Sequence, residues 1–144
     1  MNPLGNERIR VRKEGEIVMI EHKAPAPGAQ EGIKSMQETG FEARDFDMVI
    51  ATFKKIGLEE VGLPSVKHRV SYILHPNTEE QVRLDFDTYS ELMGKPIPEF
   101  LEIESNSADR VYEIALALGF QKSDCRNFGA KQLFEHYYPN ETAL

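Results

Sequence analysis

Cysteine is nearly absent from this chain: Cys125 stands alone among 144 residues, which excludes an intramolecular disulfide and any cysteine-rich zinc site. The four histidines, His22, His68, His75 and His136, show no metal-ligand spacing, so a metal bound here would be held by carboxylates. Long hydrophobic runs are missing as well. No apolar stretch approaches the ~20 residues of a membrane span, and Met1 to Asn6 lacks the hydrophobic segment of a signal peptide. A soluble, cytoplasmic protein without a membrane partner is expected. Nor is there a surplus of positive charge: 17 Lys and Arg against 24 Asp and Glu give a formal charge of -7. That balance argues against nucleic acid as a partner unless the cations are segregated on one surface. Nucleophilic triads and glycine-rich phosphate loops find no credible context. The length suits one domain spanning 1–144, or at most two small packed halves.

What is present is alternation. Ile9 and Val11 alternate with Arg8, Arg10 and Arg12, and Lys13-Glu14-Gly15-Glu16 turns into Ile17-Val18-Met19-Ile20, which predicts a hairpin over Arg8 to Lys23. Proline and small residues in Ala24 to Gln30 cannot continue a ladder, so the chain is expected to leave the sheet there as a mobile loop. A strand over Met36 to Ala43 follows. Asp45 is placed to cap a helix that buries Phe46, Val49, Ile50, Phe53 and Ile56 and stops at Gly57. A second hairpin pairs Lys67 to Leu74 with Gln81 to Asp87 through His75-Pro76-Asn77-Thr78. After a loop with Gly94, Pro96 and Pro98 comes a strand, Phe100 to Glu104. A Ser107-capped helix then runs through Val111, Ile114, Ala115 and Leu118 to Gly119. Phe128 to Tyr138 fits a short helix or a strand, and Phe46, Phe53, Phe134, Tyr137 and Tyr138 are expected in the core.

The two halves share a pattern of strand, helix, glycine and hydrophobe: Phe41-Glu42 through Gly57-Leu58, then Ile103-Glu104 through Gly119-Phe120. A duplicated α+β unit is predicted, with helices over the outer face of an antiparallel sheet and charge on the other face. Period-two parity puts Arg8, Arg10 and Arg12 on one side of their strand and Lys67 and Arg69 on one side of theirs. The same parity aligns Asp85 and Asp87 with Arg83, and Glu102 with Glu104. Carboxylates two residues apart on a strand sit roughly 7 Å apart, close enough to share a hard cation. Cations for phosphate oxygens beside a carboxylate-held metal are the parts that phosphoryl or nucleotidyl transfer requires. A solvated strand face is the competing reading of each group, and ordinary surface charge that of Glu38, Glu42 and Lys131.

In order along the chain, Arg10-Val11-Arg12-Lys13-Glu14-Gly15, Lys23, Lys67-x-Arg69-x-x-Tyr72, Val82-x-Leu84-Asp85, and Phe100-Leu101-Glu102-Ile103-Glu104 with its helix ending Leu118-Gly119-Phe120 resemble the CYTH family. These are the triphosphate tunnel metalloenzymes, among them class IV adenylate cyclases, thiamine triphosphatases and tripolyphosphatases. The resemblance runs from about Arg8 to Phe120. It implies an antiparallel β tunnel or barrel, closed or partly open, whose basic lumen takes a triphosphate compound and whose acidic residues hold Mg²⁺ or Mn²⁺. Carried over by position, Arg8, Arg10, Arg12, Lys23, Lys67 and Arg69 would bind phosphate, with Lys131 as a further match. Glu102, Glu104 and Asp85 would be metal-binding and catalytic, and Glu38 or Glu42 would match an acidic residue ahead of the first helix.

The family's opening Glu-x-Glu-x-Lys strand has no counterpart here, since Glu7 is the only carboxylate in Met1 to Glu7. A barrel short of one strand exposes edges, so closure by another route, a homodimer, or membership of a longer protein are the structural expectations. For function, metal-dependent hydrolysis of a triphosphate leads, adenylate cyclase chemistry is the near alternative, and a non-catalytic polyphosphate- or nucleotide-binding domain is the third.

Overall fold

Alternation and helix caps together determine where each element begins and ends. The computed structural model describes residues 7–27, 31–61 and 65–141, so the expectations for residues 1–6 and the part of the proline-rich loop at 28–30 lie outside the described residues. The order is β1 (Arg8–Glu14), β2 (Ile17–Pro25), β3 (Met36–Ala43), α1 (Phe46–Lys55), β4 (Val66–Leu74), β5 (Val82–Leu92), β6 (Lys95–Ser105), α2 (Ala108–Ala117), a 3₁₀ turn (Lys122–Asp124) and α3 (Ala130–Tyr137). The described strands form two antiparallel three-stranded sheets, β1-β2-β3 and β4-β5-β6, each followed by a helix. The predicted α+β class and the duplicated strand-helix unit are therefore present, each unit contributing one three-stranded antiparallel sheet. The chain divides into two compact units, one holding the first sheet and α1, the other the second sheet, α2 and α3.

The duplication extends to the caps. Asp45 accepts a hydrogen bond from the Met48 amide at 2.9 Å, and Ser107 accepts one from Arg110 at 3.4 Å, each satisfying an amide that the first helical turn leaves without a carbonyl. At the other end, Gly57 (φ 90°) and Gly119 (φ 92°) take the left-handed conformation. There Leu58 donates to Phe53 and Phe120 to Ala115, while Gly57 donates to Lys54 and Gly119 to Leu116. This is the same Schellman arrangement twice, and an L side chain at either glycine would be strained.

Four expectations change. Pro96 and Pro98 lie within β6 rather than a loop; among the described strands β6 pairs with β5 alone, and an edge strand tolerates proline whose missing N–H would face outward. β2 likewise continues through Ala24 to Pro25, opposite Met36. Ile56 is 68% exposed because it forms the C-cap of α1, beyond the apolar stripe; Phe46, Val49, Ile50 and Phe53 are half-buried. The segment left open between helix and strand is α3, whose Phe134 packs with Leu92 and Ile97 while Leu133 and Tyr138 close around them. Tyr137 is 38% exposed, off that stripe and edge-on to His136, so it is not a core residue.

In the second unit the apolar side of β5, Val82 and Leu84, is buried, and α2 packs against β6 with Ala115 buried. Each large aliphatic side chain removed from water in this way contributes about 1.5–3 kcal/mol. The polar side of the same strands is thereby held rigidly. Among the described residues no helix is long and apolar enough to cross a membrane. Replacing Gly119 by Ala is expected to destabilise the protein by about 1 kcal/mol, read as a lower urea midpoint at unchanged slope; an unchanged midpoint would contradict the role given to the left-handed cap.

Candidate metal and phosphate site

Strand register builds the site. Arg69 of β4 stands opposite Asp87 of β5, and Ser71 opposite Asp85. Across the other ladder, Asp85 faces Glu102 and Arg83 faces Glu104 of β6. Since every second residue shares a face, Lys67, Arg69 and Ser71, then Arg83, Asp85 and Asp87, then Glu102 and Glu104 converge on the side of the sheet opposite Val82 and Leu84.

Asp85 and Asp87 are both 0% exposed, an arrangement that is costly unless both are paired. Arg69 supplies most of the pairing. Its Nε and Nη2 donate to the two oxygens of Asp87 at 2.7 Å each, its Nη1 lies 2.6 Å from Asp85 Oδ2, and its Nη2 lies 2.5 Å from Glu102 Oε2. Lys67 donates to Asp87 at 2.7 Å, and the Ser71 hydroxyl donates to Asp85 at 2.6 Å. Arg83 reaches Asp85 at 2.9 Å and Glu104 at 2.7 Å.

The titration behaviour follows from this ranking of partners. Burial alone would raise the Asp87 pKa, but the hydrogen bonds from Arg69 and Lys67 outweigh it and hold the carboxyl below its usual range. Burial would also lower Arg69, and the bond to Asp87 with the neighbouring charges of Glu102 and Asp85 raises it instead. Glu102 goes up: burial dominates, Asp87 adds to it, and Lys67 and Arg69 pull the other way without cancelling it. Asp87 takes the shorter contact with Lys67 and the two-pronged grip of Arg69, so Glu102 shares both cations with a more closely bound neighbour.

One carboxylate oxygen each from Asp85, Glu102 and Glu104 lie within 4.8 Å of one another, with Asp85 buried, Glu102 half-buried and Glu104 exposed. Three hard oxygen donors with one side open to solvent suit a divalent cation of the Mg²⁺ or Mn²⁺ type. The structure thus brings together five of the residues singled out in the sequence, Asp85, Glu102, Glu104, Lys67 and Arg69.

The remaining predicted residues belong to the first sheet and, for Lys131, to α3. On the polar face of the first sheet, Arg8, Arg10 and Arg12 stand opposite Lys23, Glu21 and Met19, which in turn oppose Glu38, Gly40 and Glu42. Arg10 and Arg12 reach Glu21 at 2.8 and 3.0 Å. Burial would raise Glu21, but Arg10, then Arg12 and Lys23, hold it below the usual carboxylate range. Lys23, 8% exposed, is paired with Glu38. Lys131 is exposed on α3, 3.8 Å from Glu135 one turn on. Asp87, Arg83 and Ser71 were not among the predicted site residues, although the alternation of β5 already put Asp87 and Arg83 on the face of Asp85.

No protein-family model matches the chain, and no curated protein matches it. Among solved structures, the chain is similar to a conserved hypothetical protein from Pyrococcus furiosus, with a TM-score of 0.64 and 22% identity over 83% of this chain and 69% of that one. It is also similar to the PH1012 protein from Pyrococcus horikoshii OT3, with a TM-score of 0.65 and 20% identity over 89% of this chain and 74% of that one. At these identities the likeness shows a shared fold.

Asp87→Asn leaves two cations facing a neutral amide and is expected to cost about 3 kcal/mol at neutral pH. The Asp87 pKa is lower folded than unfolded, so this stabilisation is present above the unfolded value of about 3.9 and is lost as pH falls through the folded value. Denaturant titrations of wild type and variant should therefore converge on the acid side of about pH 4. A gap that persisted or widened there would contradict the assigned pairing.

Proposed function

We propose that the chain, taken as one CYTH-like domain over 1–144, binds a triphosphate compound together with Mg²⁺ or Mn²⁺ and hydrolyses it. The observation that carries this reading is the convergence of Asp85, Glu102 and Glu104 within 4.8 Å, directly beside Lys67 and Arg69 on the same sheet face. The ordered motifs that resemble the CYTH family, and a fold of two antiparallel sheets built from a duplicated unit, support it.

Asp85, Glu102 and Glu104 are the metal ligands and the catalytic carboxylates in this reading, with Glu38 as a further acidic candidate on the first sheet. A divalent ion held by them would offset charge on the phosphate chain and activate water for attack. Lys67 and Arg69 bind phosphate oxygens and are pre-oriented by Asp87, so no side-chain ordering is deferred to the moment of binding. Arg8, Arg10, Arg12 and Lys23 take the same role from the polar face of the first sheet, and Lys131 is the last candidate. Adenylate cyclase chemistry would use the same groups with a ribose hydroxyl in place of water.

Phosphorus NMR of the protein with inorganic triphosphate or ATP, plus Mg²⁺, tests the reading. Phosphate and pyrophosphate should appear from triphosphate, and Glu104→Ala should slow their release by about a hundredfold. Cyclic AMP with pyrophosphate would make the protein a cyclase, and perturbed resonances without products would make it a binding domain. Spectra that stay unchanged, or triphosphate affinity that survives charge reversal at Lys67 and Arg69 in a folded protein, would overturn the proposal.

A further inference from the structure

Arg83 has no assigned part in the site described above, yet it touches two of its three carboxylates. Its Nε donates to Asp85 Oδ2 at 2.9 Å and its Nη2 to Glu104 Oε2 at 2.7 Å, so a single guanidinium spans Asp85 on β5 and Glu104 on the neighbouring strand β6. Both contacted oxygens belong to side chains of the group whose donor atoms lie within 4.8 Å of one another.

Charge and freedom of movement separate Arg83 from Arg69. Arg69 is fixed by Asp87, a carboxylate outside the three-residue group, and also meets Asp85 and Glu102. Among the described residues the carboxylate partners of Arg83 are Asp85 and Glu104, and its side chain is 39% exposed, so it can leave toward solvent without abandoning a buried partner elsewhere. The four carboxylates Asp85, Asp87, Glu102 and Glu104 face the three cations Lys67, Arg69 and Arg83, leaving one net negative charge. Adding a divalent cation to that set reverses its sign, and a freed guanidinium beside it then becomes a planar, two-pronged oxyanion donor.

We infer that Arg83 is an exchangeable counter-ion of the carboxylate group: it holds Asp85 and Glu104 together in the absence of metal, yields their oxygens to a divalent cation, and on release binds an oxyanion that accompanies the metal. Metal and oxyanion are therefore taken up cooperatively, and the metal alone binds weakly because it competes with a guanidinium. This rests on the metal-site reading given under Proposed function and adds the device that couples the two ligands.

Titration of Mn²⁺ alone, followed by the loss of its free-ion electron paramagnetic resonance signal, reads the competition without any turnover. Arg83→Gln is expected to bind Mn²⁺ about tenfold more tightly than wild type, since a neighbouring positive charge and a competitor for the same oxygens are both removed. Lys95→Gln, which deletes an equal charge beside Glu141, is expected to leave Mn²⁺ affinity unchanged. Arg83→Lys keeps the charge but loses the two-pronged grip and should fall between the two, and it carries the test should Arg83→Gln not fold. With Mn²⁺ saturating, inorganic triphosphate should bind Arg83→Gln more weakly than wild type. Mn²⁺ affinity equal to or below wild type in the folded variants, or an equal gain in Lys95→Gln, would overturn the counter-ion role. Absence of Mn²⁺ binding by wild type and variants alike would instead overturn the metal site itself.

Discussion

Two carboxylates on one strand, Asp85 and Asp87, are removed from solvent entirely, and Arg69 is the group that makes this tolerable. A buried carboxylate without a partner is among the most destabilising features a small domain can carry, whereas one held by a bidentate guanidinium and a lysine can persist. Everything on that face of the second sheet is arranged around this need. The register of β4 on β5 sets Arg69 against Asp87, the parity of β5 brings Asp85 to the same side, and β6 adds Glu102 and Glu104. An apolar pair of the same shape would serve stability at least as well, so stability alone does not account for a polar network of this size.

Comparison of the two repeats shows where the site became specialised. Counting back from the caps Asp45 and Ser107, Glu42 corresponds to Glu104 and Gly40 to Glu102; across the ladders, Glu21 corresponds to Asp85 and Met19 to Arg83. The first unit thus keeps two of the three acidic positions, loses the middle one to a glycine, and meets Glu21 with Arg10 and Arg12 rather than with Arg83's equivalent. What remains there is a face rich in arginine. The same architecture holds a carboxylate group suited to a cation in one unit and a mainly basic surface in the other.

Much of this was legible in the sequence. A strand was expected at each of the six places, with β5 and β6 running further than foreseen, and Asp45, Gly57, Ser107 and Gly119 gave α1 and α2 to within a residue, because caps and strand parity are local properties of the chain. The shared faces of Lys67 with Arg69, Asp85 with Asp87, and Glu102 with Glu104 were legible too, since parity within a strand needs only neighbouring residues. Partner identity was less accessible. Which cation holds which carboxylate depends on the register between strands distant in sequence, so Asp87 as the anchor of Arg69, and Arg83 as a bridge from Asp85 to Glu104, emerged only with the ladders in place. The prolines of β6 misled for a related reason: their tolerance depends on β6 being an edge, a fact of topology rather than of local sequence.

The central claim is that the polar face of the second sheet binds a divalent cation through Asp85, Glu102 and Glu104. Anomalous scattering from crystals grown with Mn²⁺ and a non-hydrolysable triphosphate addresses it most directly. The account predicts a single strong peak within coordination distance of those three carboxylates, with phosphate oxygens approaching Lys67 and Arg69. Peaks confined to other surfaces, with Arg69 and Arg83 still closed over the carboxylates, would contradict it.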